Sequence, residues 1–169
     1  DYDIAVIGAG HAGVEAALAS ARCGLRTALF TMSLDAIANM PCNPSVGGTG
    51  KGHLVFEIDA MGGEMGYAAD CVTMQSRTLN TGKGAAVRSK RIQADRRRYS
   101  ELMKQTIEKT QNLTVIQAEV TRIITDTDSD GRLSIVGLYA EPCGEISCKA
   151  AVICTGTYLG GTTHVGNVK

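Results

Sequence analysis

Tyr2-Asp3-Ile4-Ala5-Val6-Ile7-Gly8-Ala9-Gly10-His11-Ala12-Gly13 opens with an apolar, partly β-branched run, turns on three glycines and continues into an Ala-rich segment reaching Cys23. The pattern predicts a strand over Tyr2 to Ile7, a helix over about His11 to Cys23 stopped by Gly24, and a second strand over Arg26 to Phe30. Together they make one βαβ unit of ordinary length. In a strand-turn-helix of this kind the first glycine permits the tight turn and the second lets the backbone approach a pyrophosphate. The third lets helix and strand pack closely. Unpaired N–H groups and the helix dipole then favour a phosphate at the helix start. A dinucleotide is therefore expected at Gly8, Ala9, Gly10, His11, Ala12 and Gly13, with His11 offering its backbone N–H rather than an acid or base. A GxGxxG set alone is also compatible with a flexible turn; its placement between strand and helix gives it weight.

The rest of the composition is consistent with that unit. With 169 residues, 44% hydrophobic and 20% charged, the chain can bury a real core, and neither a repeat nor a low-complexity tract divides it. One domain over residues 1–169 is expected. The net charge is zero, so contact with nucleic acid has to come from a local patch. No apolar run approaches the roughly 18 residues of a membrane span, and no charged-then-apolar leader precedes the first strand. A cytoplasmic protein is the expectation. Six cysteines, at 23, 42, 71, 143, 148 and 154, form neither CxxC pairs nor a Cys/His zinc spacing, so free thiols and no metal are expected.

The acidic residue that usually holds the ribose lies about 20 residues past the glycines. Here that place reads Phe30-Thr31-Met32-Ser33, with Asp35 beyond the strand end, which weakens a standard NAD reading. Ala150-Ala151-Val152-Ile153-Cys154-Thr155-Gly156-Thr157 is an apolar strand ending in Thr-Gly and resembles the second flavin motif of glutathione-reductase-like flavoproteins. That resemblance implies a strand returning beside the first one, with Thr155 and Gly156 near the cofactor; an ordinary buried strand is the plainer alternative. The two motifs together favour FAD. The fold expected is a Rossmann-like FAD-binding domain of the glutathione-reductase type, a parallel sheet with helices and a small antiparallel β layer. Elsewhere, helices are expected over Thr49 to Asp59 and over Ile92 to Thr110, where Tyr99, Leu102, Met103 and Ile107 repeat at helical spacing. Leu113 to Ile124, Leu133 to Tyr139 and Glu145 to Ile153 read as strands, with a turn over Asp126 to Gly131.

Met40-Pro41-Cys42-Asn43-Pro44-Ser45-Val46-Gly47-Gly48-Thr49-Gly50-Lys51-Gly52-His53 is too rich in Gly and Pro for a core, and long loops of this kind are usually functional or disordered. It resembles the CNP-x-x-GG-x-x-KGH segment of the MnmG/GidA family. The likeness continues through Glu57 to Gly66, Leu79 to Arg88 and Arg91 to Arg96, and so covers essentially the whole chain. Ala85 stands where a Pro is common in the family, and Gln75-Ser76-Arg77 where an aromatic residue often precedes the Arg. Family members are several times longer, with a second dinucleotide domain and a helical carboxy-terminal domain, so the chain ending at Val168-Lys169 is expected to be a fragment.

That resemblance implies a flavoprotein using FAD, NADH as reductant and a folate one-carbon unit to attach aminomethyl or carboxymethylaminomethyl groups at position 5 of the tRNA wobble uridine. It also implies a GTPase partner of the MnmE type and a homodimer. Cys42 matches a cysteine considered a catalytic thiol in the family, with a structural loop thiol as the alternative. Val120, through Gln117-Ala118-Glu119-Val120, falls near the adenine; alone it would read as core. Lys51 and His53 are candidates for flavin, substrate or folate, or else belong to a solvated loop. Lys83, Arg88, Lys90, Arg91, Arg96, Arg97, Arg98 and Lys104, against Asp95 and Glu101, leave a local excess of six positive charges. Of these Lys83, Arg88 and Arg91 are candidate substrate or cofactor contacts. The cluster suits tRNA phosphates, a solvated helix face or the flavin phosphate equally. Competing functions are a general FAD-dependent oxidoreductase, a non-catalytic FAD or NADH sensor, and a folate-dependent tRNA methyltransferase flavoprotein. The CNP and KGH segments argue against the last.

Overall fold

The computed structural model describes residues 1–162 and Gly166; the expected chain end at Val168-Lys169 lies outside them. In chain order it runs β1 (Tyr2–Ile7), α1 (His11–Arg22), β2 (Thr27–Thr31), β3 (Ser45–Gly47), α2 (Gly52–Ala60), α3 (Met65–Cys71) and β4 (Thr73–Leu79). β5 (Ser89–Ala94), α4 (Arg96–Lys109), β6 (Leu113–Gln117), β7 (Glu119–Thr127), β8 (Leu133–Glu141) and β9 (Gly144–Ile153) follow.

A six-stranded sheet has the order β6-β2-β1-β9-β8-β7. β1 pairs in parallel with β2 on one side and β9 on the other, and β2 pairs in parallel with β6. β9 changes partners along its length: Gly144 to Ser147 run antiparallel to β8, and Cys148 onward run parallel to β1. The returning strand is therefore beside β1, as the likeness to the second flavin motif implied. Alternation along the strands sorts the core into two layers. Val6 and Leu29 face α1 and α4, packing with Val14, Leu18, Tyr99, Met103 and Ile107. Ala5, Ala28 and Phe30 face the other way, among Ala118, Leu138 and Ala140. Burying each large side chain contributes about 1.5–3 kcal/mol before entropy is counted.

A second, three-stranded antiparallel sheet, β3-β5-β4, stands apart from the first. The strands expected from the sequence also give an antiparallel layer, since β7 pairs antiparallel with β8 and β8 with the first part of β9, while β6 and the rest of β9 are parallel members of the main sheet. Among the described residues no helix is long and apolar enough to cross a membrane.

Four boundaries differ from expectation. Ile92 is in β5 rather than α4, because Ile92 pairs with both Val46 and Ser76 and Ala94 N–H donates to Pro44 O at 2.8 Å. Asp95 then starts the helix, its carboxylate accepting the N–H groups of Arg97 and Arg98. Leu113 to Ile124 is two strands, broken at Ala118, whose N–H is drawn to Thr31 O at 2.9 Å. The helix expected from Thr49 starts at Gly52, since Gly50 is left-handed at φ +77°. β7 runs to Thr127, so the hairpin turn falls over residues 128–132, where the Asp128 carboxylate accepts from Asp130 and Arg132.

Candidate functional site

The glycine corner sits where the parallel strands end, and its backbone is held from both sides. Gly8 N–H donates to Phe30 O at 2.9 Å, and Cys154 N–H donates to Ile7 O at 2.8 Å. Gly8 is left-handed at φ +102°, and a Cβ there would lie 2.4 Å from Cys154 O. A Cβ on Gly13 would lie 1.7 Å from Gly8 O. These two positions are closed to any side chain by backbone. Gly10 is the reverse: its φ is −72°, and among the described residues a Cβ there meets nothing within 4 Å. The open side of the corner is thus at the start of α1, whose amino end has no side-chain cap and no acid in its first turn. Such an end offers unpaired N–H groups and positive potential to an anion. The residues present therefore fit a nucleotide diphosphate.

Val120 and the second motif are brought to the same edge. Thr155 and Gly156 follow Cys154 directly against Gly8, and a Cβ on Gly8 would stand 3.4 Å from the Thr155 Cα. The Ala118–Thr31 bond ties the segment before Val120 to the end of β2, and Val120 is partly buried beside Phe30, Ala118 and Ala140. At the ribose position Thr31 and Ser33 bond each other: the Thr31 hydroxyl donates to Ser33 O at 3.0 Å and accepts from Ser33 N–H at 3.3 Å. Asp35 does not fill that place; its side chain is fully exposed and pairs with Lys104 at 3.3 Å.

The long loop leaves this edge by a direct contact, Ala38 N–H donating to Ala9 O at 2.9 Å. Four residues later Cys42 is exposed, its carbonyl held by the Arg96 guanidinium at 2.8 Å. The Gly-rich stretch folds back on β5. Gly47 is at φ +83°, a Cβ there would lie 2.4 Å from Lys90 O, and Gly48 N–H donates to Lys90 O at 2.7 Å. The Ser89 hydroxyl donates to Gly48 O at 2.5 Å, and Asn80 Nδ2 bridges Thr49 Oγ1 and Val87 O, both at 3.0 Å. The Gly47–His53 and Asn80–Arg91 segments therefore form one surface, with a cleft of roughly 90 Å³ between β3, β5, α2 and α3 that includes Asp59, Asp70 and Lys90. Lys51 and His53 are exposed at the start of α2.

The basic cluster does not form one free face. Arg96 holds Cys42 O, Arg97 pairs with Glu101, Lys104 with Asp35, Arg91 reaches Ser45 Oγ at 3.4 Å, and Arg88 reaches Thr81 O at 3.4 Å. Among the described residues no ion pair engages Lys83, Lys90 or Arg98, and no cluster of metal-ligating side chains occurs.

A polar group under the corner is not announced by the sequence. The Glu15 carboxylate accepts the N–H of Glu64 at 3.0 Å and of Met65 at 2.6 Å. Arg22 donates to Gly62 O at 2.8 Å and to Glu64 Oε2 at 2.5 Å. The only local signal is an i, i+7 pair of charges on a helix of otherwise small and apolar residues. Beside them His11 and Tyr99 pack edge to face, ring centroids 5.9 Å apart, and His11 Nδ1 and Tyr99 Oη are buried with no hydrogen-bond partner among the described residues. Burial lowers the His11 pKa, with Glu15 opposing. Burial raises that of Tyr99, reinforced by Glu15 and Glu64.

Comparison with known proteins shows the family and the fold. A family model described as "Glucose inhibited division protein A" matches residues 3–169. The chain is 54% identical over 169 residues to a Clostridium botulinum protein named tRNA uridine 5-carboxymethylaminomethyl modification enzyme MnmG, covering 99% of this chain and 26% of that one. A Caldicellulosiruptor saccharolyticus protein of the same name is 54% identical over 166 residues. The chain thus spans about a quarter of the length of these relatives. Among solved structures it is similar to GidA of Aquifex aeolicus, at 48% identity and a TM-score of 0.86, covering 94% of this chain and 25% of that one. The Pseudomonas aeruginosa protein pqsL, described as a probable FAD-dependent monooxygenase, shares the fold alone, at 12% identity and a TM-score of 0.61, over 89% of this chain and 41% of that one.

Proposed function

Because the chain belongs to the glucose inhibited division protein A family, we propose that it is the FAD-binding part of an enzyme that adds (carboxymethyl)aminomethyl groups at position 5 of the tRNA wobble uridine. The observation that carries this reading is the corner itself. Gly8 and Gly13 are closed by backbone while Gly10 opens onto an uncapped helix start, which is the shape a pyrophosphate needs. Gly8 to Gly13 hold the diphosphate, Thr155 and Gly156 border the flavin, and the Val120 backbone meets the adenine. When bound, FAD supplies the redox chemistry, with NADH as reductant.

On the other surface Cys42 is the catalytic thiol. As a thiolate it adds to position 6 of the uracil ring and makes position 5 nucleophilic toward a folate-derived one-carbon donor. Lys51, His53, Lys83, Arg88 and Arg91 serve substrate or cofactor there; the continuity of the two loop segments through Asn80 and Ser89 supports grouping them. tRNA, a GTPase of the MnmE type and a second copy of the protein are the partners, and the setting is cytoplasmic. Exposed Leu54 and Phe56 on α2, Met61 just after it, Tyr67 on α3 and Met74 on β4 support an assembly larger than this chain.

The test is made on the purified full-length protein. It is expected to carry FAD that bleaches with NADH, and Cys42→Ser is expected to keep FAD while losing wobble-uridine modification. Normal modification by that variant removes Cys42 from the mechanism; absence of FAD from the native protein removes the whole reading.

A further inference from the structure

The glycine corner and the Lys51-Gly52-His53 turn are far apart in sequence, and side chains of α1 link the elements that carry them. Glu15 lies one turn into α1, directly behind the open end of the corner, and Arg22 lies two turns further on the same face. Both reach the same target, the tight corner between α2 and α3. Glu15 accepts the Glu64 N–H on both oxygens and the Met65 N–H on one. Arg22 holds Gly62 O and the buried Glu64 carboxylate.

The corner has little slack. Gly62 is at φ +85°, its N–H returns to Asp59 O at 2.9 Å, and Gly63 N–H returns to Ile58 O at 2.9 Å. A Cβ on Gly63 would stand 2.2 Å from the Ile58 methyl and 3.0 Å from Glu15 Oε2. The carboxyl end of α2 is thereby fixed to α1 through charge-assisted hydrogen bonds. The nine residues of α2 span about 13 Å as a stiff rod, at 1.5 Å per residue. Its amino end is the Lys51-Gly52-His53 turn, where the Lys51 and Gly52 N–H groups both donate to Gly48 O. One end of the rod is clamped to the flavin-side helix, and the other carries the exposed side chains of the loop surface.

We propose that Glu15 is a positioning residue, carrying the order that a nucleotide imposes on the glycine corner across to the α2–α3 corner and, through α2, to the Lys51-Gly52-His53 turn. The proposal rests on the reading of the corner as a flavin site. Its content is a coupling: filling the corner restrains the first turn of α1, the restrained carboxylate restrains the start of α3, and the loop surface becomes ordered when the cofactor is present.

Amide hydrogen exchange on the full-length protein, with and without saturating FAD, tests it. In the native protein FAD slows exchange in both 10–15 and 50–56. In Glu15→Ala the slowing at 10–15 persists and that at 50–56 falls about 5-fold or more, the range typical of site-to-site coupling. Glu15→Gln, whose amide offers one acceptor oxygen where the carboxylate offers two, falls between. Native-sized slowing at 50–56 in Glu15→Ala overturns the proposal; if that variant does not fold, the same result in Glu15→Gln overturns it. Slowing confined to 10–15 in the native protein overturns the coupling and leaves the flavin reading standing. Slowing in neither segment overturns both.

Discussion

The corner at Gly8–Gly13 and the loop surface around Gly47–His53 are both rich in glycine, yet the glycines do opposite work. At the corner two strands and a helix converge, and the space is taken by backbone: Cys154 O above Gly8 and Gly8 O above Gly13. Little there depends on side-chain chemistry. On the loop surface Gly47, Gly48 and Gly50 are left-handed, and the chain is pinned by single polar contacts from Ser89, Asn80, Arg91 and Arg96 while Cys42, Lys51, His53 and Lys83 stand in solvent. A cofactor held throughout a reaction suits the first kind of site. A large substrate that must come and go suits the second, where mobile, exposed side chains are tolerated.

The contrast breaks most visibly at Gly13. Gly13→Ala places a methyl 1.7 Å from Gly8 O, which only movement of α1 against β1 can relieve. The expected outcome is the largest of those considered: loss of FAD together with destabilisation at or beyond about 3 kcal/mol, the upper range for overpacking. Thermal melting and flavin absorbance measure both. Gly10→Ala sharpens the same point, since its methyl meets open space. It is expected to melt near the native temperature and still bind FAD at least tenfold more weakly, a loss of about 1.4 kcal/mol. If Gly10→Ala binds FAD normally, the phosphate does not lie over Gly10.

Gly47→Ala is the counterpart on the loop surface. Its methyl would lie 2.4 Å from Lys90 O at a φ of +83°, so β3 must pull away from β5. Because this strain falls in the small sheet, FAD content should stay native while wobble-uridine modification drops about tenfold or more, with stability lowered by roughly 1–3 kcal/mol. Loss of FAD well beyond the roughly 5-fold coupling expected through α2 would show that the two regions are one packed unit rather than two linked ones.

The same contrast decides what the sequence could reveal. β1, α1 and β2 follow from short-range spacing, while the return of β9 beside β1 was implied by the likeness of its Thr-Gly end to the second flavin motif. The loop surface follows from contacts across about 40 residues or more, such as Ser89 to Gly48 and Arg96 to Cys42, which no local pattern encodes. β4, Thr73–Leu79, is exposed over almost its whole length and lacks the alternation that would mark a strand. Ile92 sits at a position that helix and strand patterns both accept; Asp95, an N-cap residue, was the local signal that the helix begins after it. Glu15 was legible only as a charge on a helix, because its partners are 49 and 50 residues away.

The smallest expected effect concerns His11, which lies at the corner but faces inward against Tyr99. Its burial holds the folded pKa below the ordinary 6.5, with the Glu15 carboxylate pulling the other way and the Tyr99 hydroxyl kept protonated by its own burial. As pH falls below 6.5 the unfolded chain takes up a proton that the folded chain resists, so the fold loses stability from 6.5 downward until the folded imidazole also titrates. Above 6.5 both states are neutral and the contribution is flat. The melting temperature of the native protein should therefore fall between pH 7.5 and 5.5 by more than that of His11→Gln, which has nothing to titrate there. FAD binding at pH 7.5 should be nearly the same in both, since the backbone N–H is retained. Equal pH dependence in the two would mean that His11 reaches solvent in the folded protein, and the inward-facing half of the corner would then be open as well.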